Sequence, residues 1–356
     1  MIFDNGFTFS NQLCEFDYLD YQDYDLETIR VLKITPIENS LIRVYDYQTN
    51  SQPLLDFLGV NHHDEDSILQ FLRKYGFFVD PCLANWDIDY DTRKNNYRLI
   101  TKSLIENIFA RFKATVNLIS AFKQNNLGEI LKYCVFIILD ESEIEYNNEN
   151  NVYDFSNEIN HTFYRFYSIF RSPKETPTLE EWEQLTFQQQ INYALDRVPK
   201  TEPGESWQKF IELFTRIRDY CVIVDLNTTD YIQFDKSPSE IISMFTRDDS
   251  EFLKELAASI IETELTAIIS NIYPRIEITN GTLKGNLKVP NLLSALYFDM
   301  SLRESHSTLL KKCENPTCNC YFETTINNTR KKYCSLHCSQ LMAKRKQRER
   351  EKAKGN

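Results

Sequence analysis

Nine cysteines occur in this 356-residue chain, and five of them fall in its last forty-six residues, at positions 313, 318, 320, 334 and 338. Cys313 and Cys318 make a C-x4-C pair, fifteen residues follow, and Cys334 and Cys338 make a C-x3-C pair. Zinc takes four thiolate or imidazole ligands in a tetrahedron and imposes no orientation of its own. Two short-spaced pairs joined by one chain reversal therefore satisfy it. Cys313, Cys318, Cys334 and Cys338 are the first choice of ligands for one structural Zn2+. Cys320, two residues after Cys318, and His337, beside Cys338, are the alternative ligands. Metal binding at such sites supplies roughly 10–16 kcal/mol at neutral pH, enough to order a segment with almost no apolar core. Metal chemistry is expected over disulfide chemistry because the chain reads as cytoplasmic. Met1-Ile2-Phe3-Asp4 has neither the basic nor the apolar region of a secretion signal.

The same segment, 311–356, carries twelve of the forty Lys and Arg residues against four acids, a local balance of +8. The preceding 310 residues carry 28 basic and 48 acidic residues, a balance of −20. A polyanion is repelled by that body and attracted by the tail, for which the body also competes. Nearly every residue after Cys338 is a good helix former. Lys344 and Arg345 precede Arg348 by four and three residues, so the three share a helical face that can follow phosphates. Arg330, Lys331 and Lys332 enter the second cysteine pair from the loop side. These six form the expected nucleic-acid-binding set.

Cys313-Glu-Asn-Pro-Thr-Cys318, Tyr321-Phe322 and Arg330-Lys-Lys-Tyr-Cys334-Ser-Leu-His-Cys338, followed by a basic helix, resemble the CGNR zinc finger of bacterial stress-responsive transcription regulators. The resemblance implies a zinc-bound, DNA-binding module and covers about forty residues. Where that family has the Gly-Asn-Arg that names it, this chain has Ser339-Gln340-Leu341. Leu292–Tyr297 and Ile68–Gly76 are similar, less specifically, to other segments of such proteins.

The elements that must position these groups predict a mainly α fold with a small N-terminal β element, a β-hairpin, and a separate small C-terminal zinc-binding module with a basic helix. Three regions are expected: an α+β region over 1–170, a mainly helical region over 171–310, which can form one domain with the first, and the module over 311–356. Thr28–Ile34 and Leu41–Tyr47 read as two strands separated by Pro36, Asn39 and Ser40. Glu15–Glu27 interleaves acids with aromatics, as a solvated face over partly buried rings does. Asp66–Tyr75 is a short helix capped by Asp66 or Ser67, with Ile68, Leu69, Phe71, Leu72 and Tyr75 on one face and Gly76 as its left-handed stop. Leu99–Gln124 is a long amphipathic helix ended by Leu127-Gly128. Leu131–Leu139 is a buried helix or a buried strand, and the acidic, Asn-rich stretch 140–160 a long loop. Leu179–Val198, Ser206–Tyr220 and Ser250–Ile272 are helical. Asn280-Gly281 between apolar alternations marks a hairpin, and Pro290 opens a helix over 291–303.

Several function classes are disfavoured. Glycine is scarce, at eight residues, and neither G-x-G-x-x-G nor G-x-x-x-x-G-K-[ST] occurs. No apolar run reaches the ~18 residues of a membrane span. His62-His63-Asp64-Glu65 lacks the helical spacing of a metalloprotease motif and reads as an exposed loop before a helix. No nucleophile–base pair or catalytic carboxylate pair stands out, so no enzyme is expected. Richness in Asn, Ile, Lys and Tyr points to a low-GC bacterial source. The expected function is nucleic-acid binding, DNA above all, by a transcription regulator whose acidic body is a sensor or dimerisation domain. The alternative is a protein-interaction protein in which the body takes a protein partner and the zinc is purely structural.

Overall fold

Two long antiparallel strands, β1 (Phe9–Gln22) and β2 (Thr28–Tyr45), begin the fold in the computed structural model, and β3 (Arg98–Thr101) pairs antiparallel with β2 to give the order β1-β2-β3. The structure describes residues 7, 9–22, 28–45, 53–78, 97–139, 145–148, 151–154, 221–223, 232–234, 238–269, 272–279, 282–305, 308–318, 320–328 and 330–354. The two expected strands over 28–47 are one strand. Pro36, Asn39 and Ser40 mark a bulge instead of a turn, since Gln12 pairs with Leu41 and Cys14 with Pro36. Residues 37–40 thus oppose Leu13 alone. Asn39 takes φ 55°, which Asn tolerates, and Pro36 lies beyond the Val31–Ile34 stretch that β3 covers. In β1, Phe16 is buried between exposed Glu15 and Asp17, and Tyr18 and Tyr21 are half-buried.

Helices α1 (Pro53–Gly59) and α2 (Glu65–Tyr75) follow. The five expected apolar positions of α2 are all buried. Its N-cap is Asp64, not Asp66 or Ser67: the Asp64 carboxylate accepts from the Asp66 N–H at 3.2 Å. Gly76 ends the helix at φ 80°, ψ −176°, positive in φ but not the left-handed helical conformation expected. A Cβ there would collide with the Asn11 amide and lie 2.8 Å from the Gln12 carbonyl oxygen. Asn11 Nδ2 fills that space, donating at 2.8 Å to the carbonyls of both Tyr75 and Phe77.

The helix expected from Leu99 begins three residues later, because Leu99–Thr101 complete β3. Helix α3 (Lys102–Lys123) buries its expected apolar stripe and more, since Arg111, Thr115 and Ser120 are buried as well. Its Phe109 stacks on Phe57 at 4.5 Å, with Phe71 and Phe112 at 5.2 and 4.8 Å from the same ring. Helix α4 (Leu127–Leu139) settles the ambiguous apolar run as a helix. The break before it is at Asn125 (φ 52°), and Gly128 lies inside its first turn.

Strands β4 (Glu145–Asn148) and β5 (Asn151–Asp154) form a two-stranded sheet in the stretch expected to be a loop. The helices expected over 179–198 and 206–220, and the boundary expected at 170, lie outside the described residues. Strands β6 (Cys221–Ile223) and β7 (Ile232–Phe234) pair antiparallel, and α5 (Pro238–Ile242) precedes α6 (Arg247–Ile269). Helix α6 starts at a reciprocal cap. Asp249 Oδ2 accepts from Thr246 N–H at 2.9 Å, and Thr246 Oγ1 accepts from Asp249 N–H at 3.1 Å. Strands β8 (Tyr273–Thr279) and β9 (Thr282–Lys288) pair antiparallel from Tyr273–Lys288 to Thr279–Thr282, and the expected Asn280-Gly281 between them lies outside the described residues. Helix α7 (Leu292–Ser305) is capped by Asn291, whose Oδ1 accepts from Ser294 N–H at 2.8 Å, so Pro290 stands before the cap and not in the first turn.

Sequence reasoning missed a second hairpin, β10 (Thr308–Lys312) with β11 (Tyr321–Thr325), in register from Thr308–Thr325 to Lys312–Tyr321. Helix α8 (Leu336–Lys354) closes the fold. The chain thus combines helices with small sheets and a cysteine cluster near its C-terminus. Two compact units divide it: residues 1–120, 144–153 and 265–356, and residues 121–143 and 154–264. Within the first, β10 packs on α7 and β11 on α1. Among the described residues no helix is long and apolar enough to cross a membrane.

Candidate metal centre

The hairpin β10–β11 ends where the cysteines begin. Past Lys312, the Cys313 N–H donates to the Cys320 carbonyl at 3.0 Å and closes a loop over 313–320. Inside it the Cys318 N–H donates to the Asn315 carbonyl at 2.8 Å, and Asn315 Oδ1 accepts from Thr317 N–H and Oγ1 at 3.4 and 3.1 Å. This side-chain-supported turn at Asn-Pro is what brings Cys318 back toward Cys313. The second pair is carried in by the Glu314 N–H, which donates to the Lys332 carbonyl at 2.9 Å. Ser335 then caps α8: its Oγ accepts from Cys338 N–H at 3.2 Å, and its carbonyl from Ser339 N–H at 3.2 Å. Cys338 accordingly sits in the first turn of the helix.

These turns converge four thiols. The Sγ atoms of Cys313, Cys318, Cys334 and Cys338 all lie within 4.8 Å of one another. Cys318 Sγ and Cys334 Sγ are 3.6 Å apart, and Cys334 Sγ and Cys338 Sγ 3.7 Å. Tetrahedral zinc with Zn–S bonds of about 2.3 Å needs sulfur–sulfur edges of about 3.8 Å, whereas a disulfide needs about 2.0 Å. The group fits one metal ion. Cys313 and Cys338 are buried, with Phe322 and Tyr333 packed around the cluster.

Donors aimed at sulfur support the same reading. Asn315 Nδ2 and the Cys334 N–H point at Cys338 Sγ and Cys313 Sγ, each at 3.5 Å. The Asn315 hydrogen bond, with help from Ser335, lowers the Cys338 thiol to about 7. Burial, reinforced by hydrogen bonds with Cys318 and Cys338, raises Cys334 to about 12. Of these two thiols Cys338 gives up its proton the more readily and Cys334 the less, and a bound metal displaces both protons. Asn315 and Ser335 were not read from the sequence as part of the site. The Asn-Pro pair and the Ser ahead of a helical run were their signals.

Residues 310–351 match the CGNR zinc finger family. No curated protein and no solved structure matches the chain. In this finger the four cysteines are positioned to bind one metal ion, as one structural zinc requires. The two alternative ligands stay outside the group. Cys320 is exposed, accepts from Cys313 N–H through its carbonyl and meets the Cys318 thiol with its own, but is not one of the four, and His337 is exposed on α8.

The six basic residues are all exposed but are not alike. Lys331 Nζ lies 4.8 Å from the centroid of the Phe322 ring, and Lys332 Nζ is 3.2 Å from the Glu314 carboxylate. Arg330 lies in the turn before them. Lys344, Arg345 and Arg348 stand on α8 beyond its cysteine anchor. The finger is held by the first unit's own side chains: Asn117 Nδ2 on α3 donates to Tyr321 OH at 3.3 Å, and Arg303 on α7 pairs with Glu323 on β11.

His62 and His63, whose rings lie 4.3 Å apart, do not join a metal group. His62 Nδ1 is 3.2 Å from Lys113 Nζ, and His63 Nδ1 is 3.7 Å from Glu106 Oε1. Among the described residues the four thiols are the one cluster able to hold a metal.

Proposed function

We propose that the chain is a nucleic-acid-binding protein of the transcription-regulator kind, engaging DNA through its C-terminal finger. One observation carries this reading: a four-thiol metal site anchors the first turn of a nineteen-residue helix whose later turns are exposed and basic. A zinc with four thiolates has no open position for water, so its role is to hold α8 and not to react. Anchoring matters because helices in proteins draw most of their stability from packing, and the basic turns of α8 are exposed. Exposed Lys344, Arg345 and Arg348 then meet phosphates from a fixed frame. The acidic body serves as sensor or dimerisation domain.

Binding in which five or six phosphates are neutralised falls with salt at a logarithmic slope of about −5. A chain ending at Ala343 keeps the four cysteines and loses the basic turns. It is expected to retain one zinc and lose DNA affinity. A flat salt response, or unchanged binding by the shortened chain, overturns the proposal.

The alternative, a zinc staple on a protein-interaction body, draws support from Lys331 and Lys332, whose charges are already engaged by Phe322 and Glu314. Recovery of one stoichiometric protein partner after nuclease treatment, with no DNA affinity, favours it.

A further inference from the structure

Helix α8 exposes two large apolar side chains on an otherwise polar surface: Leu336 is 74% exposed and Leu341 43%. With about 100° between successive residues, Leu336, His337, Gln340, Leu341, Lys344 and Arg348 fall within an arc of about 140°. Cys338, Ser339 and Met342, which are buried or half-buried, lie on the opposite side. The metal therefore fixes which face points outward. That face is apolar and amide-bearing in its first two turns and carries Lys344, Gln347 and Arg348 in the next two, and Glu351, which accepts from Gln347 Nε2 at 2.9 Å, closes it. From Leu336 to Arg348 it runs about 18 Å, the length of about five base pairs.

We infer that the first two turns of α8 read base edges in the major groove of duplex DNA. Gln340 pairs with adenine N6 and N7, Leu341 and Leu336 pack on thymine methyl groups, and Lys344 and Arg348 hold the register on phosphates. The inference rests on the nucleic-acid reading above and adds sequence specificity to it. Charge complementarity selects the occupant. A second copy of α8 would set Lys344 and Arg348 against their like, whereas a polyanion neutralises them. The groove type follows from the side chains. The A-form major groove is too narrow to admit them, and His337 is the one ring α8 offers, where a single-strand platform stacks successive bases on several.

The test uses the zinc-loaded full chain to select from duplexes with a random core, then measures Kd for the selected duplex, a scrambled duplex and the RNA duplex of the selected sequence. The selected DNA is expected to bind at least tenfold more tightly than either. Replacing the contacted thymine by deoxyuridine, which lacks only the methyl group, should weaken the native chain on the order of fivefold and leave Leu341→Ala unaffected. Replacing the contacted adenine by 7-deazaadenine should do the same for the native chain against Gln340→Ala. Both side chains are exposed, and the base analogues probe the native protein directly. A selection that returns no shared sequence, equal affinity for the RNA duplex, or analogue costs that persist in both variants overturns base reading while leaving the DNA-binding reading in place. Failure of the full chain to bind any duplex at low salt overturns both.

Discussion

At the scale of single residues, the metal centre depends on Cys313, Cys318, Cys334 and Cys338, not on every nucleophilic neighbour. Cys320 lies two residues from a ligand, yet its thiol is exposed and outside the group of four. Cys338→Ser is expected to drop zinc content from one toward zero per chain at micromolar free zinc, whereas Cys320→Ser leaves it at one. Elemental analysis of the purified proteins decides between them. Gly76 is the comparable residue in the body. Its φ of 80° and the Asn11 amide beside it leave no room for a Cβ. Gly76→Ala is expected to cost about 2 kcal/mol or more, read as a lowered denaturation midpoint.

At the scale of elements, charge ties the sheet to the helices. Arg30 on β2 meets Glu65 at the start of α2 through two bonds, of 2.9 and 3.1 Å, and Asp20 on β1 at 3.0 Å. Lys102, the first residue of α3, reaches Glu65 at 3.3 Å. The Arg30 hydrogen bonds, and then that of Lys102, hold the Glu65 carboxyl below its ordinary value. A carboxylate depressed in the folded state stabilises it above the unfolded value of about 4.3, and that contribution is lost as pH falls through the lower folded value. Glu65→Gln should therefore be less stable than the native chain at pH 7. The gap should close below about pH 4, as followed by denaturant midpoints across that range.

At the scale of the whole molecule, the finger is joined to the first unit by more than its linker. Leu309 and Leu310 are fully buried and Tyr321 nearly so. Asp299 on α7 accepts from Tyr45 OH at 3.2 Å and from Arg303 Nε at 2.7 Å, and Arg303 continues to Glu323. Strand β2, helix α7 and strand β11 thus share one polar chain. Chelation of zinc should then release the cysteine loop and α8 but not the hairpin. Hydrogen exchange is expected to lose protection across Leu336–Lys354 while β10, β11 and α3 keep theirs. Loss of protection in α3 would show that the metal holds the whole unit.

The cysteine spacing, the basic run behind it, the five buried positions of α2 and the Asn-Gly hairpin were legible in the sequence, because each follows from local periodicity or from the short spacing that ligand pairs require. What escaped depended on distant partners. Leu99–Thr101 extend the apolar pattern of α3, yet pairing with Val31–Lys33 makes them a strand. Pro36 to Ser40 carry turn residues, but β1 on one side carries the strand through them as a bulge. The β10–β11 pairing spans the boundary expected at 311, and its strands pack against the distant α1 and α7. The sequence alone thus determined that two cysteine pairs would offer ligands for one ion, with Cys320 and His337 as alternatives, and that a basic helix would follow. Only the tertiary structure decided which face of that helix points outward, because the direction is set by where the Glu314–Lys332 hydrogen bond and the Ser335 cap deliver Cys338, and no local period records that.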